Sequence, residues 1–241
     1  MKRLIVVILI LCTCSCMLYA YINVEPLYFD KEIDGQGGYK VYTLTNSTNK
    51  TLRYRVYSEK ISEKNDMSQW MDFYPKSITL KSGESKKIKL LVIAPEGTEK
   101  GEYIANLGIK EIPIPLLKDT SAVSLYTNLQ IELAGFVGNL HPKVNVKNLN
   151  ITIKNKKLYL NGSIKNIGEI RTKVDIFLED SNKNTIYLGG YRLFKGDKKL
   201  LNNLKSVYIG DKKIKNYSTF IVTDRKGTVI LKDKIQVKKG N

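Results

Sequence analysis

Short segments in which apolar and polar residues alternate recur along this chain, and no convincing amphipathic helix interrupts them. In residues 52–57 apolar side chains alternate with Arg53 and Arg55, the period of two that a strand with one buried face requires. Residues 77–80, a turn at Lys81-Ser82-Gly83-Glu84 and residues 87–92 read as a hairpin-like pair. Another alternating run occupies residues 101–109, after Pro95 and Gly97, and closes at Ile112-Pro113-Ile114-Pro115. Strands this short can bury their alternate residues only against a second sheet, so the pattern predicts an all-β sandwich architecture.

The pattern restarts beyond His141-Pro142 with Val144, Val146, Ile151 and Ile153. The restart echoes the first half. Residues 41–46, a polar turn and residues 52–57 are matched by residues 160–166, a turn at Gly168 and residues 172–178. In each half an Asn-rich turn joins two alternating strands, as turn chemistry favours. The expectation is two immunoglobulin-like β-sandwich domains in tandem, residues 21–140 and 143–241, following a signal peptide at 1–20.

The leader is read from Met1, Lys2 and Arg3 ahead of an unbroken apolar run over residues 4–11, the charged and hydrophobic regions of an export signal. A bilayer span needs ~20 apolar residues, more than this run supplies. A cut after Ala20 is the simplest reading, and Cys16 as a lipid-modified first residue is the rival one. Cys12, Cys14 and Cys16 all lie in the leader, so a cut after Ala20 leaves a chain without thiols and rules out a disulfide scaffold. The same cut removes Lys2 and Arg3 and no acid, lowering the formal net charge from +17 to +15. The lysines are dispersed as separate pairs, such as Lys86-Lys87 and Lys156-Lys157, without a basic helix or an aromatic RNA-binding motif. A solvated basic surface is therefore favoured over a dedicated site for a polyanion, whether nucleic acid, an anionic membrane surface or an acidic glycan.

Catalytic chemistry finds no constellation. The single histidine, His141, precedes Pro142 in the expected linker, a poor place for a nucleophile-activating base. Without a Cys cluster or a second His, a metal site lacks its usual ligands. Gly35-Gln36-Gly37-Gly38 has no following Lys-Ser/Thr and reads as a hairpin turn, not a phosphate loop. Trp70, with Phe73 and Tyr74 nearby, reads as packing in preference to ligand stacking. The reading is of a non-enzymatic protein without cofactor or metal.

Residues 123–133 stand apart. Val123, Leu125, Leu129, Ile131 and Leu133 occupy every second position, with Thr127 the single polar exception in the row. Fully extended, these eleven residues span ~33 Å, about twice a typical strand. The row either belongs wholly to the core of the first sandwich or leaves part of itself for another polypeptide that adds to the sheet edge.

The chain resembles the PapD-like periplasmic chaperones, which assemble pilus subunits at bacterial surfaces. The residues that carry the resemblance are Ile22-Asn23-Val24-Glu25-Pro26, Leu44-Thr45-Asn46, the stretch from Tyr74-Pro75 to Gly83-Glu84, and Gly101-Glu102-Tyr103 leading to Ile109-Lys110-Glu111-Ile112-Pro113. The resemblance implies two immunoglobulin-like domains and, for residues 123–133, a strand that completes a secreted pilin-like subunit lacking its own last strand, with an outer-membrane usher as a further partner. It implies a periplasmic or cell-envelope location, with membrane contact only through a lipid on Cys16. One feature of the family is missing. Two basic residues hold the subunit's terminal carboxylate there, one on the first strand and one late on the long strand. Residues 22–30 and 123–133 contain neither Lys nor Arg, and Glu132 stands near the second position. The carboxylate anchor is therefore unassigned from sequence. The competing reading is a structural or adhesive envelope protein whose long strand is fully buried, and in either case an exposed edge could pair with a second copy of the chain.

Overall fold

The computed structural model describes residues 22–114, 126–204, 206–208 and 217–239. The leader with its three cysteines, and Val123 and Leu125, lie outside the described residues. The chain divides into two compact units, residues 1–98 with 103–135, and residues 99–102 with 136–241. Every long element of both units is a strand.

The first unit contains β1 (Ile22–Glu25), β2 (Lys31–Glu32), β3 (Gly38–Asn46), β4 (Leu52–Glu59), β5 (Met71–Tyr74), β6 (Ser77–Leu80), β7 (Ser85–Val92), β8 (Gly101–Ile112) and β9 (Asn128–Val137). They form a four-stranded sheet in the order β1-β3-β7-β5 and a five-stranded sheet in the order β2-β9-β8-β4-β6. If β1, β3, β7 and β5 are lettered A, B, E and D, these are the ABED and GFC sheets of an immunoglobulin-like sandwich. Alternation supplies the core. Tyr42 and Leu44 of β3 and Ile88, Leu90 and Val92 of β7 are buried from one sheet, and Tyr54 and Val56 of β4 with Ala105, Leu107 and Ile109 of β8 from the other.

The hairpin expected across residues 81–84 is a turn between sheets. β6 pairs with β4, whereas β7 pairs with β3 and β5. The turn is tight, with the Glu84 N–H donating to the Lys81 carbonyl at 3.1 Å and Gly83 at φ 72. Ile78 and Leu80 enter the core from one sheet and Ile88 and Leu90 from the other, a separation that local alternation does not reveal. Residues 35–38 likewise turn the chain between sheets, since β2 neighbours β9 and β3 neighbours β1 and β7. Trp70 lies against Tyr103 with ring centroids 4.8 Å apart, a packing contact.

The second unit contains β10 (Val144–Lys154), β11 (Lys157–Asn166), β12 (Thr172–Asp180), β13 (Thr185–Leu193), β14 (Lys198–Leu200), β15 (Val207–Tyr208), β16 (Tyr217–Thr223), β17 (Val229–Lys234) and β18 (Gln236–Lys239). One sheet has the order β14-β11-β10-β18, with β15 also pairing β11, and the other has the order β13-β12-β16-β17. Ile151, Leu160, Ile164, Val174, Ile176, Phe220 and Val222 form part of its core. This unit includes Glu102, whose carboxylate accepts from the backbone N–H of Arg171 at 2.6 Å and pairs with its guanidinium.

The echo between the halves has a structural counterpart at the ends of β3 and β11. Asn46 and Asn166 are both fully buried. The Asn46 Nδ2 donates to the carbonyls of Lys50 at 2.7 Å and Leu80 at 3.2 Å, while its Oδ1 accepts from the Thr48 N–H at 2.9 Å. The Asn166 Nδ2 donates to Ile170 at 2.8 Å and Leu193 at 3.2 Å, and its Oδ1 accepts from the Gly168 N–H at 2.9 Å. Each amide satisfies backbone groups that the turn leaves without a ladder partner, which is what a buried turn must arrange somehow.

Candidate functional site

The strand-edge candidate is built on β9 and its neighbours. β9 begins at Asn128, after Tyr126 and Thr127, and continues to Val137, four residues past the expected end. Thr127 is joined to β8 before the strand begins, its carbonyl accepting from the Glu111 N–H at 2.8 Å and its N–H donating to the Glu111 carboxylate at 3.1 Å. Within the strand, Ile131 and Leu133 are buried. Their side chains are spent on the first unit's own core, so they can offer a partner only their backbone. Leu129, in the same row, is half-buried. Of the described apolar residues in the row, Leu129 is thus the one that keeps part of its side chain uncovered.

The opposite face of β9 is clamped by polar side chains. The Tyr57 hydroxyl donates to Asn128 Oδ1 at 2.9 Å, and the Gln130 amide lies 2.5 Å from the Glu59 carboxylate. The Asn106 amide donates to Gln130 Oε1 at 3.3 Å, tying β8 into the same ladder. Gly108 makes room for the Tyr57 ring, because a Cβ there would meet the ring at contact distances far below van der Waals. These bonds hold β4, β8 and β9 in one register.

The outer edge of β9 is different. Its neighbour on that side, β2, has two residues against ten in β9. Most outer-edge backbone groups of β9 therefore have no strand partner among the described residues, and such groups are a template for an added strand. The strand carries one charge, Glu132, and no Lys or Arg. In the second unit β17 follows β16 as β9 follows β8, and it ends its sheet where β9 is flanked by the two-residue β2. It is shorter, at six residues, and half charged through Lys232, Asp233 and Lys234. Lys232 is further held by Glu179 at 2.8 Å. Short length and charge are the usual protection of an edge, and β9 lacks both.

One cation escaped the reading of residues 22–30 because it comes next in the chain. Lys31 lies on β2, immediately beside β9, is exposed, and forms no ion pair among the described residues. Sequence alternation could not identify it, since a two-residue strand has no period. No group of three or more His, Cys, Asp or Glu suited to a metal occurs among the described residues.

No protein-family model and no curated protein matches the chain. Among solved structures, it is similar to the class 5 fimbriae chaperone CfaA, at 16% identity over 89% of this chain and 98% of that one, with a TM-score of 0.44. It is similar to the periplasmic chaperone SfaE at 13% identity over 90% and 100%, with a TM-score of 0.44. The Escherichia coli chaperone DraB gives 11% identity over 90% and 96%, with a TM-score of 0.43. At such scores and identities these likenesses carry no argument about activity or partners.

Proposed function

We propose that this chain is a chaperone of the periplasm or cell envelope that binds and stabilises pilus-type or other secreted subunits by lending them the outer edge of β9. The observation that carries the reading is the contrast between a long, nearly uncharged, thinly covered edge at β9 and the short, charged edge at β17. The motifs shared with PapD-like chaperones point the same way. Strand addition supplies backbone hydrogen bonds along β9, and side chains from Leu129 back through Thr127, Leu125 and Val123 fill alternate pockets of the client. Ile131 and Leu133 keep that strand attached to its own core. Lys31 receives a carboxylate of the client, and an outer-membrane usher accepts the loaded subunit.

The test is substitution along the row. Leu125→Ser with Leu129→Ser weakens capture of a secreted subunit at least tenfold while lowering stability by only about 1 kcal/mol, because the half-buried Leu129 loses little on truncation. Leu133→Ala costs about 3 kcal/mol, since it opens a cavity in a packed core. Equal losses of binding and stability for the Leu125/Leu129 variant would instead support an envelope protein with a fully buried strand.

A further inference from the structure

The hairpin β10–β11 has a composition unlike the rest of the chain. Between positions 143 and 167 it carries Lys143, Lys147, Lys154, Lys156, Lys157 and Lys165, six asparagines, and no Asp or Glu. The strand register brings part of this charge together. Lys147 stands opposite Ser163, and Ser163 opposite Leu200 of β14. In the next row Asn145 stands opposite Lys165, and Lys165 opposite Lys198. Val144, Leu160 and Ile164, at alternate positions, are buried, so Lys147, Lys165 and Lys198 share the outward face. All three are exposed and form no ion pair among the described residues. Asp197, the acid next to Lys198, turns its carboxylate to the Phe194 N–H at 3.2 Å. Lys165 directly opposite Lys198 is a like-charge pair that destabilises a bare sheet and is relieved by an anion.

Beside these lysines lies a recess of about 290 Å³, lined chiefly by Asn148, Asn161, Ser163, Lys198 and Asn202. It is made by a bulge, where the β10–β11 register shifts between Lys147 and Asn150. Asn148 adopts φ 55 there and Gly162 φ 123, and a Cβ on Gly162 would stand 2.7 Å from the Lys147 carbonyl oxygen. Only glycine allows this approach. The Asn161 amide nitrogen is fixed by bonds to Asn150 Oδ1 at 3.1 Å and Thr152 Oγ1 at 2.8 Å. Asn161 therefore has its carbonyl oxygen left for another donor. Bulges that re-aim side chains commonly sit at binding sites.

We propose that this face of the second unit binds an acidic oligosaccharide, its carboxylate or phosphate groups meeting Lys147, Lys165 and Lys198 and its hydroxyls meeting the amides and hydroxyl of the recess. Amide and hydroxyl groups both donate and accept, as sugar hydroxyls require. The recess holds no aromatic ring. Tyr159, on the same face, is 38% exposed, enough for the apolar side of one sugar.

The experiment measures binding of a galacturonic acid tetrasaccharide to the whole mature chain by calorimetry, beside its neutral galactose counterpart and a phosphorylated mannose tetrasaccharide. Binding of either acidic probe, and not of the neutral one, is expected, and the two acidic probes tell carboxylate from phosphate. The triple variant Lys147→Gln, Lys165→Gln, Lys198→Gln should weaken binding roughly tenfold, the sum of three modest exposed pairings. The charge-matched variant Lys64→Gln, Lys87→Gln, Lys89→Gln, in the first unit, should leave it unchanged. The proposal is overturned if neither acidic sugar binds at about 10 mM, if both triple variants weaken binding alike, or if an oligodeoxynucleotide of equal charge binds more tightly. None of these outcomes depends on the β9 edge, so the chaperone reading and this one fail separately.

Discussion

β9 and β17 hold the same place in two sandwiches built alike, yet one is ten residues long with a single charge and the other six residues with three. The comparison teaches what stability alone does not demand. The protein has the means to blunt a terminal edge and applies it in the second unit, where Lys232 reaches Glu179. In the first unit the edge is left to two residues of β2. A long bare edge carries a risk of aggregation, and it persists in folded proteins where pairing with another chain is its use.

The comparison is best sharpened first by showing that the two units are otherwise equivalent. Asn46→Asp and Asn166→Asp each replace the buried donor with an acceptor, orphaning the carbonyls of Lys50, Leu80 and Lys81 at the first site and of Ile170 and Leu193 at the second. Each should cost about 3 kcal/mol in urea denaturation, in line with leaving buried polar groups unpaired. If only one of the pair is destabilising, the hubs are not equivalent and the comparison loses its baseline.

The next test exchanges the edges' character. Gln130→Lys with Glu132→Lys gives β9 the charge that β17 carries. The melting temperature should fall by only a few degrees, because both positions are exposed and a lysine at 130 still faces the Glu59 carboxylate that the Gln130 amide bonds, while capture of a secreted subunit should fall at least tenfold. In the other direction, Lys232→Val with Lys234→Val should make the second unit self-associate, read by sedimentation.

The smallest effect concerns pH at the β12–β13 turn of the second unit. The Asp180 carboxyl lies below its ordinary range, chiefly through the Asn184 side-chain hydrogen bond, helped by the Asn184 and Asn182 backbone N–H groups. A carboxyl lowered on folding adds stability above its unfolded value and loses it as pH falls through the folded one. Asp180→Asn should therefore flatten slightly the acid side of the stability profile, and no change at neutral pH relative to acid would contradict the assignment.

Much of this fold is written in local alternation. Residues 52–57 and 77–80 mark β4 and β6 closely, and the repeat of Asn-rich turns anticipates the matching hubs at Asn46 and Asn166. Alternation says which side of a strand is buried but not which sheet it joins, so the passage from β6 to β7 reads as a hairpin and is a change of sheet. The end of β9 was hidden for a related reason. Ala134, Gly135, Phe136 and Val137 are all buried and do not alternate. The bareness of the β9 edge depends on β2 being two residues long, and Lys31 on lying within it. Neither is a property of β9's own sequence.

The central claim is that β9, and not its counterpart, meets a client. Replacing Glu132 of β9 or Asp233 of β17 with a photo-cross-linking residue, in the chain expressed in its native envelope, tests it most directly. The account predicts a single defined adduct with a small secreted subunit from position 132 and none from 233. Equal labelling from both positions, or an adduct from 233 alone, would contradict it.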